Sequence, residues 1–136
     1  MSGAEAIRIA AAVIVGADGR TLLVRKRGTD AFMQAGGKLA RGETPIDALR
    51  REIREELGCE VEAPFALGRF SAPAANEAGR TVEAELFAVR LIGEFQIAAE
   101  IEDAVWHDPD DLDSRILAPL TRDHALPIAR DLRRRI

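Results

Sequence analysis

The apolar positions near the start of the chain fall in short runs of the kind that form strands. Ile7 to Val15 is an apolar run rich in β-branched residues, which predicts a buried strand. Residues 17–20 have the composition of a turn, and Thr21 to Lys26 is predicted to be the returning strand. Residues 28–43, which contain several glycines, are predicted to be a loop. The chain therefore begins with a predicted pair of strands.

The spacing of apolar residues then changes to the period of an amphipathic helix. Thr44 is a suitable N-cap residue, Pro45 suits the first helical position, and Gly58 suits the C-cap. Between these caps the apolar residues recur every three or four positions, as expected for the buried stripe of a helix. They are Ile46, Leu49, Ile53 and Leu57.

The second half of the chain predicts further strands and one more helix. Residues 60–70 are predicted to be extended, residues 71–79 to be a loop, and residues 81–92 to be a strand with alternating polarity. A short strand is predicted over 104–107, and a C-terminal helix within 119–135, broken or begun at its proline. Strand pairs interleaved with two helices predict an α/β/α sandwich around a mixed β-sheet, or an α+β arrangement.

Length and charge narrow the classes of function. The 136 residues are enough for one domain, predicted to cover residues 1–136. With 19 Lys and Arg against 23 Asp and Glu, the net charge of −4 argues against a general polyanion binder such as a non-specific nucleic-acid-binding protein. The single cysteine, Cys59, excludes an internal disulfide and fits a reducing compartment, and the apolar run over 9–15 is too short to span a membrane. We therefore expect a cytoplasmic protein.

The polar face of the predicted helix has an unusual concentration of carboxylates. Glu52, Glu55 and Glu56 are spaced three or four residues apart, so they share one surface, with Arg51 close enough to pair with Glu55. Like charges at this spacing repel one another, and helix stability does not require them. One interpretation is a solvated, salt-bridged face, and the other is a site for a hard divalent cation such as Mg²⁺.

The sequence around this helix resembles the Nudix box, Gly-x5-Glu-x7-Arg-Glu-U-x-Glu-Glu-x-Gly-U, in which U is a bulky aliphatic residue. The box would run from Gly37 to Cys59, and Ile53 fills the first aliphatic position. All seven fixed positions match, and the one departure is the cysteine at the last position, where a buried thiol can act as a small hydrophobe. The fixed positions are Gly37, Glu43, Arg51, Glu52, Glu55, Glu56 and Gly58.

The resemblance implies an α/β/α sandwich that hydrolyses a nucleoside diphosphate linked to another moiety, with Mg²⁺ or Mn²⁺ as cofactor. It implies that Glu52, Glu55 and Glu56 bind the metal, with the carbonyl of Gly36 as a frequent further ligand. It also implies that Arg51 and Glu43 support and orient these glutamates. A homodimer is common in the family.

The general base and the substrate contacts are less closely specified. Glu52 is one candidate base, and a later loop supplies Glu100 as the other, with Glu77, Glu83, Glu85 and Glu102 as rivals. Arg25 and Arg27, on one face of the second predicted strand, are candidates to contact phosphates, although a plain exposed strand edge is an equal alternative. Phe32 and Met33 are candidates to line a base pocket, although loop packing is the simpler account, and Lys38, which follows the glycine pair, is a further candidate substrate contact.

The predicted substrate is a small nucleotide, neither a nucleic-acid polymer nor a membrane. A (d)NTP or an oxidised dNTP is favoured, and ADP-ribose or another nucleotide sugar or dinucleotide is the alternative. A non-hydrolytic diphosphate-binding domain or an isomerase is a further alternative. The intact box argues against both of these, because proteins of either kind usually lose part of it.

Overall fold

The computed structural model describes residues 6–135, which form two β-sheets and two α-helices. The larger sheet has the strand order β4-β1-β6-β5, in which β1 and β6 are parallel and the other neighbours are antiparallel. It is therefore a mixed sheet, as predicted. Its strands are β1 (Ile7–Val13), β4 (Gly36–Lys38), β5 (Glu60–Pro73) and β6 (Thr81–Ile92).

The smaller sheet is antiparallel throughout, with the order β3-β2-β7. Its strands are β2 (Thr21–Lys26), β3 (Phe32–Met33) and β7 (Ile101–His107). The helices are α1 (Pro45–Leu57) and α2 (Leu126–Arg133), and a π-helical turn over Thr121–Ala125 leads directly into α2. No helix in residues 6–135 is long and apolar enough to cross a membrane.

Strand β1 lies between the two helices because its side chains alternate between the two faces of the sheet. Ala10 and Ala12 pack in one buried cluster with Ile53 of α1. Ala11 faces the other way and packs in a second buried cluster with Ala129 of α2. The small alanine side chains allow both helices to approach the sheet closely. This arrangement confirms the predicted α/β/α sandwich.

Helix α1 begins and ends where the sequence predicts. The Oγ1 of Thr44 accepts a hydrogen bond from the backbone N–H of Asp47 at 3.2 Å. Gly58 ends the helix in the left-handed conformation, with φ of 67°. Leu49 and Ile53 are completely buried, so the predicted apolar stripe forms the core-facing side.

The structure departs from the predicted elements where pairing depends on distant partners. The predicted loop over 28–43 contains β3 and β4, because these short segments pair with β2 and β1. The strand predicted over 104–107 begins three residues earlier, at Ile101. The C-terminal helix agrees with one of its two predicted alternatives: Pro127 lies in the first turn of α2, where the π-helical turn changes into the α-helix.

Candidate active site

The carboxylates of α1 pack against the glycine strand β4, and Glu56 is the most deeply buried of them. Its side chain is only 3% exposed, and its Oε1 accepts a hydrogen bond from the backbone N–H of Gly36 at 3.2 Å. Burial raises the pKa of Glu56 to about 8, well above its ordinary value. Burial raises the pKa of Glu52 in the same direction. The site therefore holds two carboxylates that are costly to ionise without a compensating cation.

The two glycines of β4 are required by this close packing. Gly36 has φ of 149°, and a Cβ atom there would overlap the backbone of Ala10 and Ala11. A Cβ atom at Gly37 would overlap the carboxylate of Glu52. Any larger residue at position 37 would displace Glu52, which gives a physical reason for the first glycine of the box.

Arg51 and Glu43 form a bidentate pair at the edge of this cluster. The Nε and Nη2 of Arg51 each donate a hydrogen bond to a different carboxylate oxygen of Glu43, both at 2.8 Å. This pairing, together with a hydrogen bond from the backbone N–H of Ala40, lowers the pKa of Glu43 to about 2. The Nη1 of Arg51 also lies 3.4 Å from Glu52 Oε1 and 3.7 Å from Glu55 Oε2. Arg51 therefore contacts three carboxylates at once and orients them.

The donor chemistry of this face fits a hard divalent cation. Glu52, Glu55 and Glu56 offer only carboxylate oxygens, the donor type that Mg²⁺ and Mn²⁺ prefer. Within residues 6–135, no three acidic, histidine or cysteine side chains converge as a formed metal cluster. Glu52 and Glu55 instead lie beside the guanidinium of Arg51, because this is the nearest positive charge to both.

Lys26 and Glu100 lie beside the same cluster. The Nζ of Lys26 is 4.0 Å from Glu100 Oε1, and the side chain of Glu100 is 69% exposed. The positive charge of Lys26 lowers the pKa of Glu56, whereas the negative charge of Glu100 raises it, although both effects are smaller than that of burial. The structure therefore brings the predicted base Glu100 close to the box glutamates.

The rival base candidates are held by other cations. Glu77 pairs with Lys38 at 3.0 Å and is the rival that lies next to the glycine strand. Glu83 and Glu85 both pair with Arg69, on the strand pair β5–β6. The remaining rival, Glu102, is paired with Arg27.

A cleft leads from the glycine strand to an apolar end. Its wall near the carboxylates includes Lys26, Gly36, Gly37 and Lys38. The apolar end is built from separate segments of the chain, and a few polar side chains interrupt it. The larger apolar side chains of the lining are Ile7, Ile9, Met33, Pro73, Val82 and Leu120, and its polar side chains away from the two lysines are Gln34, Asn76, Glu77 and Thr121.

Of the predicted substrate contacts, Lys38 and Met33 line this cleft, whereas three others lie elsewhere. Arg25 donates a hydrogen bond to the carbonyl of Thr29 at 2.9 Å, and its guanidinium lies over the ring of Phe32. Phe32 itself packs with Leu23 in a separate apolar cluster. Arg27 donates to Glu102 at 2.8 Å.

Strand alternation explains why Lys26 was missed as a cleft residue. Leu22 and Val24, on the same predicted face as Lys26, belong to the buried cluster that contains α1. That face therefore leads toward the box helix, and the face of Arg25 leads away from it. The alternation was available in the sequence, but only the packing shows which face is turned toward the site. No motif in the sequence indicated Gln34, Asn76, Leu120 or Thr121.

Comparisons with known proteins agree with this geometry. A MutT-like protein of Streptomyces ambofaciens is 30% identical over 107 residues, covering 78% of this chain and 66% of that protein. An RNA pyrophosphohydrolase of Halorhodospira halophila is 44% identical over 46 residues, covering 34% of this chain and 25% of that protein. The chain thus matches about two thirds of one curated relative and a quarter of the other.

The fold comparison extends over nearly the whole chain. The crystal structure of a MutT NUDIX hydrolase from Burkholderia pseudomallei superposes with a TM-score of 0.73 at 27% identity. It covers 94% of this chain and 98% of that one. The profile of the NUDIX domain matches residues 6–131. The chain therefore belongs to the NUDIX domain family.

Proposed function

We propose that this protein is a divalent-metal-dependent pyrophosphohydrolase that acts on a (d)NTP or an oxidised dNTP. The observation that carries the proposal is a cleft that runs from the glycine strand β4, against which the box glutamates pack, to an apolar lining at its other end. A nucleoside triphosphate has a matching shape, with a charged polyphosphate at one end and, at the other, a flat aromatic base whose faces pack against apolar side chains. We expect the protein to act as one domain in the cytoplasm.

The metal would be held by Glu52, Glu55 and Glu56, with the carbonyl of Gly36 as a further ligand. When bound, Mg²⁺ or Mn²⁺ supplies positive charge to the phosphate oxygens and lowers the pKa of a water molecule. The buried pair of Glu52 and Glu56 supports this assignment, because a cation would remove the cost of ionising them.

The other charged residues of the site would position the substrate and move a proton. Arg51, fixed by its two hydrogen bonds to Glu43, holds the carboxylates in orientation. Lys38 and Lys26 line the cleft near the glycine strand and would contact the phosphates. Glu100 is exposed, so it would accept a proton from the attacking water with little cost of reorganisation.

The relatives' names favour anhydride cleavage in a nucleotide 5′-polyphosphate. One is called an RNA pyrophosphohydrolase and another a MutT-like protein. The net charge of −4 makes a long RNA a poor partner for the whole surface, so we favour a mononucleotide.

A substrate panel tests the proposal directly. It would compare dNTPs, oxidised dNTPs, ADP-ribose, NADH, nucleotide sugars, dinucleoside polyphosphates and a 5′-triphosphorylated RNA, with Mg²⁺ and with Mn²⁺. We expect pyrophosphate release from one or more triphosphates, and no release with the Glu55→Gln variant. Stable binding of a diphosphate compound without any product would instead indicate a ligand-binding domain. Turnover of ADP-ribose alone would replace the proposed substrate class.

A further inference from the structure

The cleft wall contains a buried amide whose nitrogen has no partner. Gln34 is only 5% exposed, and its Oε1 accepts a hydrogen bond from the Oγ1 of Thr121 at 2.8 Å. Thr121 is completely buried. The Nε2 of Gln34 is shielded from solvent and makes no hydrogen bond within the described part of the chain. Both residues line the cleft, so the unpaired donor belongs to a side chain of the cleft wall.

The backbone on both sides of Gln34 is fixed. Just before it, the N–H of Phe32 donates to Ile116 and the carbonyl of Phe32 accepts from Ala118, at 2.8 and 2.9 Å. Just after it, the carbonyl of Ala35 accepts from the N–H of Ala12 at 2.9 Å. Thr121 is held at the start of the π-helical turn that leads into α2. The amide is therefore set in place before any ligand enters.

Its surroundings make this donor selective. Met33 and Leu120 also line the cleft, and their side chains offer the Nε2 of Gln34 no strong hydrogen-bond acceptor. Because the nitrogen is shielded from solvent, water does not readily replace a missing ligand acceptor. A ligand that places a carbonyl oxygen there satisfies the donor, whereas one that places an amino group there leaves two donors facing each other.

We propose that Gln34 is a specificity-determining residue that selects nucleobases with a carbonyl oxygen over those with an amino group at the equivalent position. Guanine, hypoxanthine, uracil and thymine are the favoured class, and adenine and cytosine are the disfavoured class. Thr121 is a positioning residue, because its hydroxyl holds the Oε1 of Gln34 and so leaves the Nε2 as the end of the amide without a partner. This inference rests on the proposed function, since it assumes that the cleft receives the base of a nucleotide substrate.

Two matched substrate pairs test the selection. dITP and dATP differ at position 6 of the purine, and dUTP and dCTP differ at position 4 of the pyrimidine. For the wild-type protein, the ratio of kcat/KM between the carbonyl and amino member should be about tenfold or more in at least one pair. Gln34→Met keeps the side-chain length but removes the donor, and it should bring that ratio to within about threefold of one, mainly through KM. A wild-type ratio near one in both pairs, or an unchanged ratio in Gln34→Met, would overturn the inference.

Variants of Thr121 separate selection from simple packing. Thr121→Val removes the hydroxyl at similar volume and should lower the carbonyl-to-amino ratio, whereas Thr121→Ser keeps the hydroxyl and should preserve it. A structural role alone would reduce turnover of both substrates equally and leave the ratio unchanged. Equal cleavage of all four triphosphates by the wild type would overturn this inference and leave the proposed function standing. Cleavage of none of the four would overturn this inference, and cleavage of no triphosphate in the substrate panel would overturn the proposed function as well.

Discussion

The two ends of the cleft are built in different ways. The carboxylate end is the end at the glycine strand, beside the box glutamates: most of its chemistry comes from one continuous stretch, residues 37–58, and its charged groups are fixed by hydrogen bonds over short sequence distances. The apolar end is assembled from separate segments, and its polar pair, Gln34 and Thr121, is separated by 87 residues. The type of reaction is therefore set by residues that are close together in the sequence, whereas the choice of substrate depends on how distant segments of the chain pack.

The largest effect should come from removing the charge of the most buried carboxylate. Glu56→Gln keeps the shape of the side chain but removes a proposed metal ligand, so we expect kcat to fall by about 10³-fold or more. The measurement is steady-state release of pyrophosphate at saturating Mg²⁺. If the two ends of the cleft act independently, the residual activity of this variant should keep the carbonyl-to-amino preference of the wild type.

A carboxylate outside the cleft provides the matched control. Glu62, on β5, is 56% exposed at its side chain and lies 3.9 Å from Arg90. Glu62→Gln makes the same chemical change at an exposed position, and it should leave kcat within about twofold of the wild type. Equal activity in both variants would mean that Glu56 is only a packing residue.

The next largest effect should come from the proposed general base. Glu100→Gln should lower kcat by about 10²- to 10⁴-fold with little change in the fold, because a general base contributes on that scale and this side chain is exposed. Glu77→Gln is the comparison variant, since Glu77 lines the cleft but pairs with Lys38. Near-normal turnover in Glu100→Gln, with loss in Glu77→Gln, would move the base to Glu77.

The sequence was sufficient wherever structure depends on near neighbours. Helix α1 begins after Thr44 and ends at Gly58 as predicted, because its caps and apolar stripe are local features. The sandwich also followed from the order of predicted strands and helices. Local spacing alone placed Glu52 and Glu56 on one face, although their burial against β4 could not be inferred without the fold.

The sequence was insufficient wherever a contact joins distant segments. Strand β4 forms only because Gly36 and Gly37 pair with β1, so this part of the chain was predicted to be loop. The choice between Lys26 and its neighbours Arg25 and Arg27 depended on which face of β2 turns toward α1. Gln34 and Thr121 have no recognisable spacing, since their contact arises from packing of the π-helical turn against the cleft.

A smaller effect should follow from loosening the arginine that orients the carboxylates. Glu43→Gln removes the charge that holds Arg51, so we expect kcat to fall by about 10- to 100-fold and the Mg²⁺ concentration for half-maximal activity to rise. Glu60→Gln is a close control, because Glu60 accepts from Nε and Nη2 of Arg54, on the same helix, at 2.8 and 3.0 Å. That pair is exposed outside the cleft, and its loss should leave kcat nearly unchanged. If kcat fell by a similar factor in both variants, the effect would come from a less stable helix α1 and not from a loss of orientation of the carboxylates by Arg51.

The smallest expected effect concerns the stability of the carboxylate end without metal. Folding raises the pKa of Glu56 from 4.5 to about 8, so between these values the folded chain binds more protons than the unfolded chain. The neutral side chain of Glu56 therefore adds to the free energy of unfolding below about pH 4.5, and this contribution is lost as the pH rises toward about 8. In EDTA, the free energy of unfolding of the wild type should fall by about 1–2 kcal/mol between about pH 5 and about pH 8.5, measured by urea denaturation.

Glu56→Gln should show a shallower dependence on pH, because its amide does not titrate. Any slope that remains would include Glu52, whose pKa is also raised by burial. Adding Mg²⁺ at about pH 8.5 should restore the stability of the wild type more than that of the variant, since the cation stabilises the ionised carboxylate that the variant lacks. Among residues 6–135, no comparable buried acid lines the apolar end of the cleft, so a substitution there, such as Gln34→Met, should leave the pH dependence of stability unchanged. Parallel pH curves for the wild type and Glu56→Gln would mean that Glu56 is ionised in the metal-free protein, and the contrast between the two ends would then be one of shape alone.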